Sequence, residues 1–223
     1  PVVIHDHTLE RTTNGSGAVN GYTVAELQQF DAGQGEKIPT LAEVFALVGD
    51  RIPFFLELKT LDAVPATVEL IGRNPQIRWT ALSGFPAALD ALRVAFPDGD
   101  LRLGTFGSRT AAEKLADRLK DSNYPISQAF LDRLRNDAAS FDIETVFARA
   151  AEIRASKLGV YHEGVDAELV EKVHARGLQI GAWTVNDPVE AKRLMEIGVD
   201  SVTTDDPAAI LAMIAATRET PVA

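Results

Sequence analysis

Groups able to transfer protons are concentrated near the start of the chain, directly after an apolar run. Val2-Val3-Ile4 is followed by His5 and Asp6, and further hydroxyl, basic and amide side chains continue as far as Asn14. Histidine is the side chain best suited to moving a proton to or from a reacting oxygen at neutral pH. A single histidine is more often held by a loop carbonyl, so residue type alone favours a structural role for His5.

Two opposite charges interrupt a second apolar run. Glu57 and Lys59 stand two positions apart in the segment 54–59, so their side chains point to the same face of a strand. Charges on a buried strand are costly unless they are used. A carboxylate suits a hard divalent cation, and an ammonium group suits an anion such as phosphate. A structural salt bridge explains the pair equally well.

Two further groups, one aromatic and one acidic, lie at or just after the ends of predicted strands near the end of the chain. Trp183 comes after Gly181 and Ala182, where core packing is its more common role and lining a pocket is the alternative. Asp206 precedes Pro207 and is expected to cap a helix. Asp205 is left for a loop or a pocket.

Strands and helices alternate along the chain, which predicts a parallel sheet. Helices are expected after the capping residues Thr23, Thr40, Asp166, Asp187 and Asp206, and residues 107–141 are hard to assign. The predicted strands are the opening run and residues 52–58, 78–83, 101–106, 156–161, 178–185 and 199–203. These number about seven, one fewer than a closed (β/α)8 barrel needs.

Two helix faces are predicted in detail. The short helix after Thr23 is expected to extend through Leu27 and Phe30 on one apolar side. The last helix is expected to turn Ile210, Leu211 and Ile214 inward.

Composition excludes several classes of protein. With 22 Lys and Arg against 32 Asp and Glu, the net charge of -10 argues against a nucleic-acid partner. Without cysteine, neither disulfides nor thiolate metal sites can form. No apolar run approaches the roughly 18 to 20 residues that cross a bilayer, so we expect a soluble protein. The compartment and the oligomeric state stay open, with a slight preference for the cytoplasm.

Taken in order, these motifs resemble the glycerophosphodiester phosphodiesterase family over nearly the whole chain. Residues 2–17 look like the family's hallmark after its second barrel strand, and residues 38–44 look like its next motif. Residues 56–59 match a Glu-hydrophobe-Lys motif on the third strand. Residues 183–186 and 198–207 look like the C-terminal signature.

The resemblance implies an α/β TIM (β/α)8 barrel, here lacking its first strand and most of its second, in a single domain over residues 1–223. It implies hydrolysis of small glycerophosphodiesters to glycerol 3-phosphate and an alcohol by metal-assisted general acid/base catalysis, with Mg²⁺ or Ca²⁺. By this resemblance His5 would be one of two catalytic histidines and Glu57 a metal ligand. Lys59 would hold the phosphate, and Trp183 would pack beside the glycerol phosphate moiety.

The chain departs from the family pattern in one respect. The family's His-Arg-Gly motif and its Glu-x-Asp pair of metal ligands have no match, and neither His7 nor His162 stands in an equivalent context. We therefore expect negligible turnover from residues 1–223 alone. Two alternatives stay open: a related barrel phospholipase acting on lysophospholipids, and a noncatalytic barrel that serves as a binding module. The enzyme hypothesis requires His5, Glu57, Lys59 and Trp183 to converge at one barrel mouth.

Overall fold

A six-stranded parallel sheet forms the centre of the molecule. The computed structural model describes residues 1–120 and 128–219. Each strand pairs with the next one in the chain, and all five pairings are parallel. The strands are β1 (Phe54–Leu58), β2 (Trp79–Ser83), β3 (Asp100–Thr105), β4 (Lys157–Tyr161), β5 (Gln179–Trp183) and β6 (Ser201–Val202). Strand order equal to chain order is the topology of a barrel wall, which confirms the predicted α/β class.

Within the described ranges, α-helices precede, connect and follow the strands. They are α1 (Val24–Leu27), α2 (Leu41–Val48), α3 (Val64–Arg73), α4 (Pro86–Ala95), α5 (Arg109–Lys120), α6 (Gln128–Ala139), α7 (Ile143–Glu152), α8 (Ala167–His174), α9 (Pro188–Glu196) and α10 (Pro207–Glu219). None of these helices has the length and apolar character required to cross a membrane.

Most helix starts lie where the capping residues predict them. Thr40 and Glu43 form a complete capping box at α2, as Thr23 and Glu26 do at α1. The side chain of Asp166 accepts the first-turn amide of Leu169 at the start of α8. These bonds satisfy amide groups that have no partner inside the helix.

The sheet buries its helix-facing side. Strand residues such as Leu58, Ala81, Leu101, Leu158 and Ile180 are almost fully buried in one large hydrophobic cluster that they share with the helices. The same alternation sends the neighbouring side chains to the other, concave side of the sheet.

The curl of the sheet is visible in the contacts of one side chain on this concave side. The guanidinium of Arg102 on β3 lies 5.0 Å from the centre of the Phe55 ring on β1. It also donates to the carbonyl of Gly181 on β5 at 2.8 Å. One side chain reaches both of these non-adjacent strands because the sheet curves around it as half a barrel.

The opening run is not a strand of this sheet, so the predicted count of about seven strands was too high. Val2 forms an isolated antiparallel bridge with Thr40, and the amide of Val3 donates to the carbonyl of Pro39 at 2.8 Å. The run packs on a second, smaller hydrophobic cluster built on Leu9, Leu27 and Ile38. Its backbone bonds are thus made to the segment before α2.

Three local expectations need correction or completion. Leu211 is 64% exposed, whereas Ile210 is buried, because adjacent helix positions point about 100° apart. Helix α1 ends at Leu27, and Phe30 instead packs edge-on against Tyr22 with 5.4 Å between ring centres. The unassigned stretch 107–141 contains α5 and α6 and ends just before α7, with residues 121–127 outside the described part.

Candidate active site

Glu57 and Lys59 lie at the carboxyl end of β1 and contact each other. The Lys59 Nζ donates to the Glu57 Oε2 at 2.9 Å. The Glu57 side chain is 44% exposed and the Lys59 side chain 26% exposed, so neither charge is sealed in the core. The pair is a salt bridge, and it also remains open to a ligand from the concave side.

Trp183 closes β5 and belongs to an aromatic group. Its ring centre lies 5.5 Å from that of Tyr161, at the end of β4, and 6.5 Å from that of Phe106, just beyond β3. The indole N–H is buried, and no residue of the described part of the chain accepts a hydrogen bond from it. Phe106, Tyr161 and Trp183, at the ends of three successive strands, therefore form a continuous aromatic surface, the aromatic wall.

The parallel direction of the strands places these groups at one edge of the sheet. Glu57 and Lys59 follow the carboxyl end of β1, and Trp183 is the last residue of β5. In barrel enzymes the active site is built at this edge.

His5 is oriented by a buried carboxylate. Its Nδ1 lies 2.7 Å from Asp6 Oδ1, and the Arg11 guanidinium donates to both Asp6 oxygens, at 2.6 and 2.8 Å. These Arg11 bonds, followed by the bond from His5, hold the pKa of Asp6 at about 2 against the opposing effect of burial. An ionised carboxylate can only accept, so His5 Nδ1 carries the proton, which fixes the tautomer of the imidazole.

His5 lies in the amino-terminal segment with its own small core. Its side chain is 60% exposed and borders a cavity of about 210 Å³ between the opening run and the residues before α2. Convergence of His5 with Glu57, Lys59 and Trp183 stays a prediction.

Sequence reasoning did not assign roles to several residues around these groups. Asp6 and Arg11 orient His5, and their spacing in the His-Asp cluster was the available signal. The Tyr161 hydroxyl donates to Glu163 at 3.2 Å, which fixes the aromatic wall to the loop after β4. Burial raises the pKa of Tyr161 to about 12, so this hydroxyl keeps its proton. No sequence pattern indicated Tyr161.

The loop after β5 is tied to the loop after β6. The Asn186 amide donates to Asp205 Oδ2 at 2.9 Å, and Asn186 Oδ1 accepts the backbone amide of Asp205 at 2.8 Å. Asp206 accepts the amide of Ala209, which is the predicted capping role. Asp205 thus has a loop role, in which it holds Asn186 of the loop after β5.

Glu57 is the candidate ligand for a divalent cation at this edge of the sheet. The exposed carboxylate of Glu57 is the hard oxygen ligand that Mg²⁺ and Ca²⁺ prefer. Among the residues that the structure describes, no group of three or more His, Asp or Glu side chains is arranged to hold a metal ion. Glu57 therefore fits as one ligand of a set.

A curled parallel sheet with charged and aromatic groups at its carboxyl edge defines an α/β-barrel enzyme. The sequence profile of the glycerophosphoryl diester phosphodiesterase family matches residues 1–209, and the chain belongs to that family. The predicted family and enzyme class are therefore confirmed.

Individual relatives agree with this assignment. A glycerophosphodiester phosphodiesterase of Caldanaerobacter subterraneus is 27% identical over 220 residues, covering 96% of this chain and 79% of that protein.

Solved structures match the fold. An Oleispira antarctica phosphodiesterase, solved with its product sn-glycerol-3-phosphate, has a TM-score of 0.74 at 24% identity, covering 96% of this chain and 79% of that one. A Thermotoga maritima glycerophosphodiester phosphodiesterase has a TM-score of 0.66 at 23% identity, covering 96% and 78%.

Proposed function

We propose that this protein hydrolyses glycerophosphodiesters to glycerol 3-phosphate and an alcohol, using Glu57, Lys59, Trp183 and His5. The observation that carries the proposal is the Glu57–Lys59 pair at the carboxyl end of β1, in the segment that resembles the family's Glu-hydrophobe-Lys motif. The pair shares the functional edge of the sheet with Trp183.

Lys59 is the proposed phosphate-binding group. Its ammonium group is already held beside a carboxylate at 2.9 Å, so its position is defined before substrate arrives. A compact cation offsets the charge of the phosphoryl oxygens, and that charge is greatest in the transition state.

His5 is the proposed proton-transfer residue. Its contact with Asp6 sets the orientation and the tautomer of the imidazole that gives or takes the proton of a phosphoester oxygen. The aromatic wall of Trp183, Tyr161 and Phe106 gives the glycerol phosphate moiety an apolar surface to pack on.

Glu57 is the proposed ligand of a divalent cation, Mg²⁺ or Ca²⁺. Such an ion, when bound, acts as a Lewis acid toward phosphoryl oxygens. Glu57 also keeps Lys59 in place through their ion pair. Removal of divalent cations with a chelator is expected to abolish turnover.

The test compares Lys59→Met with Lys192→Met. Lys192 is a partly exposed lysine on α9 that lies 3.9 Å from Glu196, so its variant changes the net charge equally. This test and every later kinetic test of a variant are made in the complete natural protein rather than in residues 1–223 alone. Glycerol 3-phosphate release from glycerophosphocholine is measured with the wild type and both variants. We expect Lys59→Met to lower kcat/KM by about a hundredfold or more, since an aligned charge on a transferring phosphoryl group contributes that much. Lys192→Met should behave as the wild type.

Other outcomes would contradict the proposal. Hydrolysis of lysophospholipids but not of glycerophosphodiesters would show that the protein is a related barrel phospholipase. Ligand binding without turnover in the presence of Mg²⁺ and Ca²⁺ would favour a binding module.

A further inference from the structure

Arg102 is a buried cation to which the proposed reaction gives no role. It is 6% exposed, and none of the ion pairs formed by the described residues includes it. Its Nε–H is buried and finds no acceptor among residues 1–120 and 128–219, and burial lowers the pKa of the Arg102 side chain. Burying an unpaired charge is strongly unfavourable, so an apolar side chain of similar size would give a more stable core.

The neighbouring strands keep space open for this guanidinium. A Cβ atom added at Gly159 on β4 would lie 2.4 Å from the Arg102 Nε, and the three nearest atoms to it would all belong to Arg102. A Cβ atom added at Gly181 on β5 would lie 2.5 Å from Nη2. Two glycines at adjacent strand positions thus allow Arg102 to cross the concave face.

Each of the two contacts of Arg102 lies two residues before a residue of the candidate site, on the same strand. The Phe55 ring, 5.0 Å away, is one same-face position before Glu57 on β1. The Gly181 carbonyl, 2.8 Å away, is two residues before Trp183 on β5. These two strands are not neighbours in the sheet, because three other strands lie between them.

We propose that Arg102 is a positioning residue. It acts as a brace that holds β1 and β5 at a fixed distance, and so it sets the spacing between the Glu57–Lys59 pair and the aromatic wall that contains Trp183. The stacked planar guanidinium holds one strand, and its hydrogen bond holds the other. This inference rests on the proposed function, which assigns the roles of the groups that Arg102 positions. Burial of the Arg102 charge lowers the stability of the fold. In return, the brace fixes both sides of the site before substrate binds.

Enzyme kinetics test the brace first. We expect Arg102→Met to raise KM for glycerophosphocholine and to lower kcat/KM by about tenfold or more, because a misplacement of about 1 Å has effects of this size. We expect no loss of thermal stability, since an unpaired buried charge is removed. Arg102→Lys should not restore KM, because lysine cannot both stack as a planar group and donate to Gly181.

A double-mutant cycle distinguishes a brace formed by the guanidinium from a role in which the Arg102 side chain only fills space on the concave face. Gly159→Ala displaces the guanidinium, so it should impair the wild type but cause little further loss in Arg102→Met. Gly72→Ala on α3, where an added Cβ meets nothing within 4 Å, is the matched control and should be neutral. Additive losses from the two substitutions would overturn the proposal, as would a wild-type KM in Arg102→Met.

Fluorescence provides a readout that does not depend on turnover. Trp79 and Trp183 are the two tryptophans of the chain. In a Trp79→Phe background the emission reports on Trp183, and adding Arg102→Met should shift it. Unchanged emission would contradict the brace. If the complete wild-type protein released no glycerol 3-phosphate, the proposed function would fail. The emission shift would still decide whether Arg102 holds the β5 side of the site, where Trp183 lies.

Discussion

At the scale of single residues, the orientation of His5 depends on one buried carboxylate. The side chain of Asp6 is 2% exposed, yet it accepts hydrogen bonds from both Arg11 and His5. This arrangement fixes which imidazole nitrogen carries the proton. A catalytic histidine needs such an orienting partner, since both the tautomer and the ring position affect proton transfer.

Asp6→Asn tests this arrangement through its pH dependence. The pKa of Asp6 is lowered from 3.8 to about 2, so the carboxylate stabilises the folded state above pH 3.8, and this contribution is lost as the pH falls through about 2. The shift corresponds to about 2 kcal/mol at neutral pH. Denaturant unfolding should show Asp6→Asn less stable at pH 7, with the difference from the wild type vanishing near pH 2.

The same substitution should also lower kcat by about tenfold or more, since a well-placed proton-transfer group contributes about a hundredfold or more. Asp98→Asn, at an exposed position, is the matched control. A constant stability difference between pH 7 and pH 2 would refute the role of ionised Asp6.

At the scale of elements, α2 connects the His5 segment to the strand that carries Glu57. Its capping box joins the Thr40 amide to Glu43 Oε2 at 2.7 Å. The Phe45 ring of α2 packs against Phe54 of β1 with 4.9 Å between ring centres. A defined start to α2 therefore helps to set how the amino-terminal segment meets the barrel wall.

Thr40→Ala is expected to destabilise the protein by about 1 kcal/mol through loss of the cap. Thr110→Ala, at an exposed position in the first turn of α5, should change stability by less than about 0.5 kcal/mol. Urea unfolding of the two variants measures both effects. Equal stabilities would show that the capping box contributes nothing.

At the scale of the whole molecule, six strands form a half-barrel whose carboxyl edge carries the candidate site. Helix α2 contributes Leu41 and Phe45 to the hydrophobic cluster behind the sheet, and Ile38, three residues before α2, belongs to the cluster of the amino-terminal segment. The assignment of residues 1–223 to a single domain stays a prediction.

A polypeptide of residues 1–223 is expected to bind Mg²⁺ and Ca²⁺ weakly and to show negligible turnover. Such ions take about six or more oxygen ligands, and Glu57 is the one carboxylate that we assign to them. Calorimetric titration with Glu57→Gln as the control measures the binding, and glycerol 3-phosphate release measures turnover. Submicromolar binding or clear turnover would contradict the expectation.

The amino-acid sequence determined the parallel α/β class, most helix starts, and the family motifs around Glu57, Lys59 and Trp183. These features depend on neighbours in sequence: on alternation along a strand, on a cap three residues from its partner, and on motif order. The sequence therefore carries them without knowledge of the fold. The opening run was misassigned as a sheet strand because an apolar run does not reveal its pairing partner.

Tertiary structure alone decided the burial of Asp6, the aromatic wall around Trp183 and the path of Arg102 across the concave face. The acceptor of Arg102 lies 79 residues away along the chain, at Gly181. Neither its burial nor its hydrogen bond leaves a local pattern, because both exist only when the curled sheet brings distant strands to the same side chain.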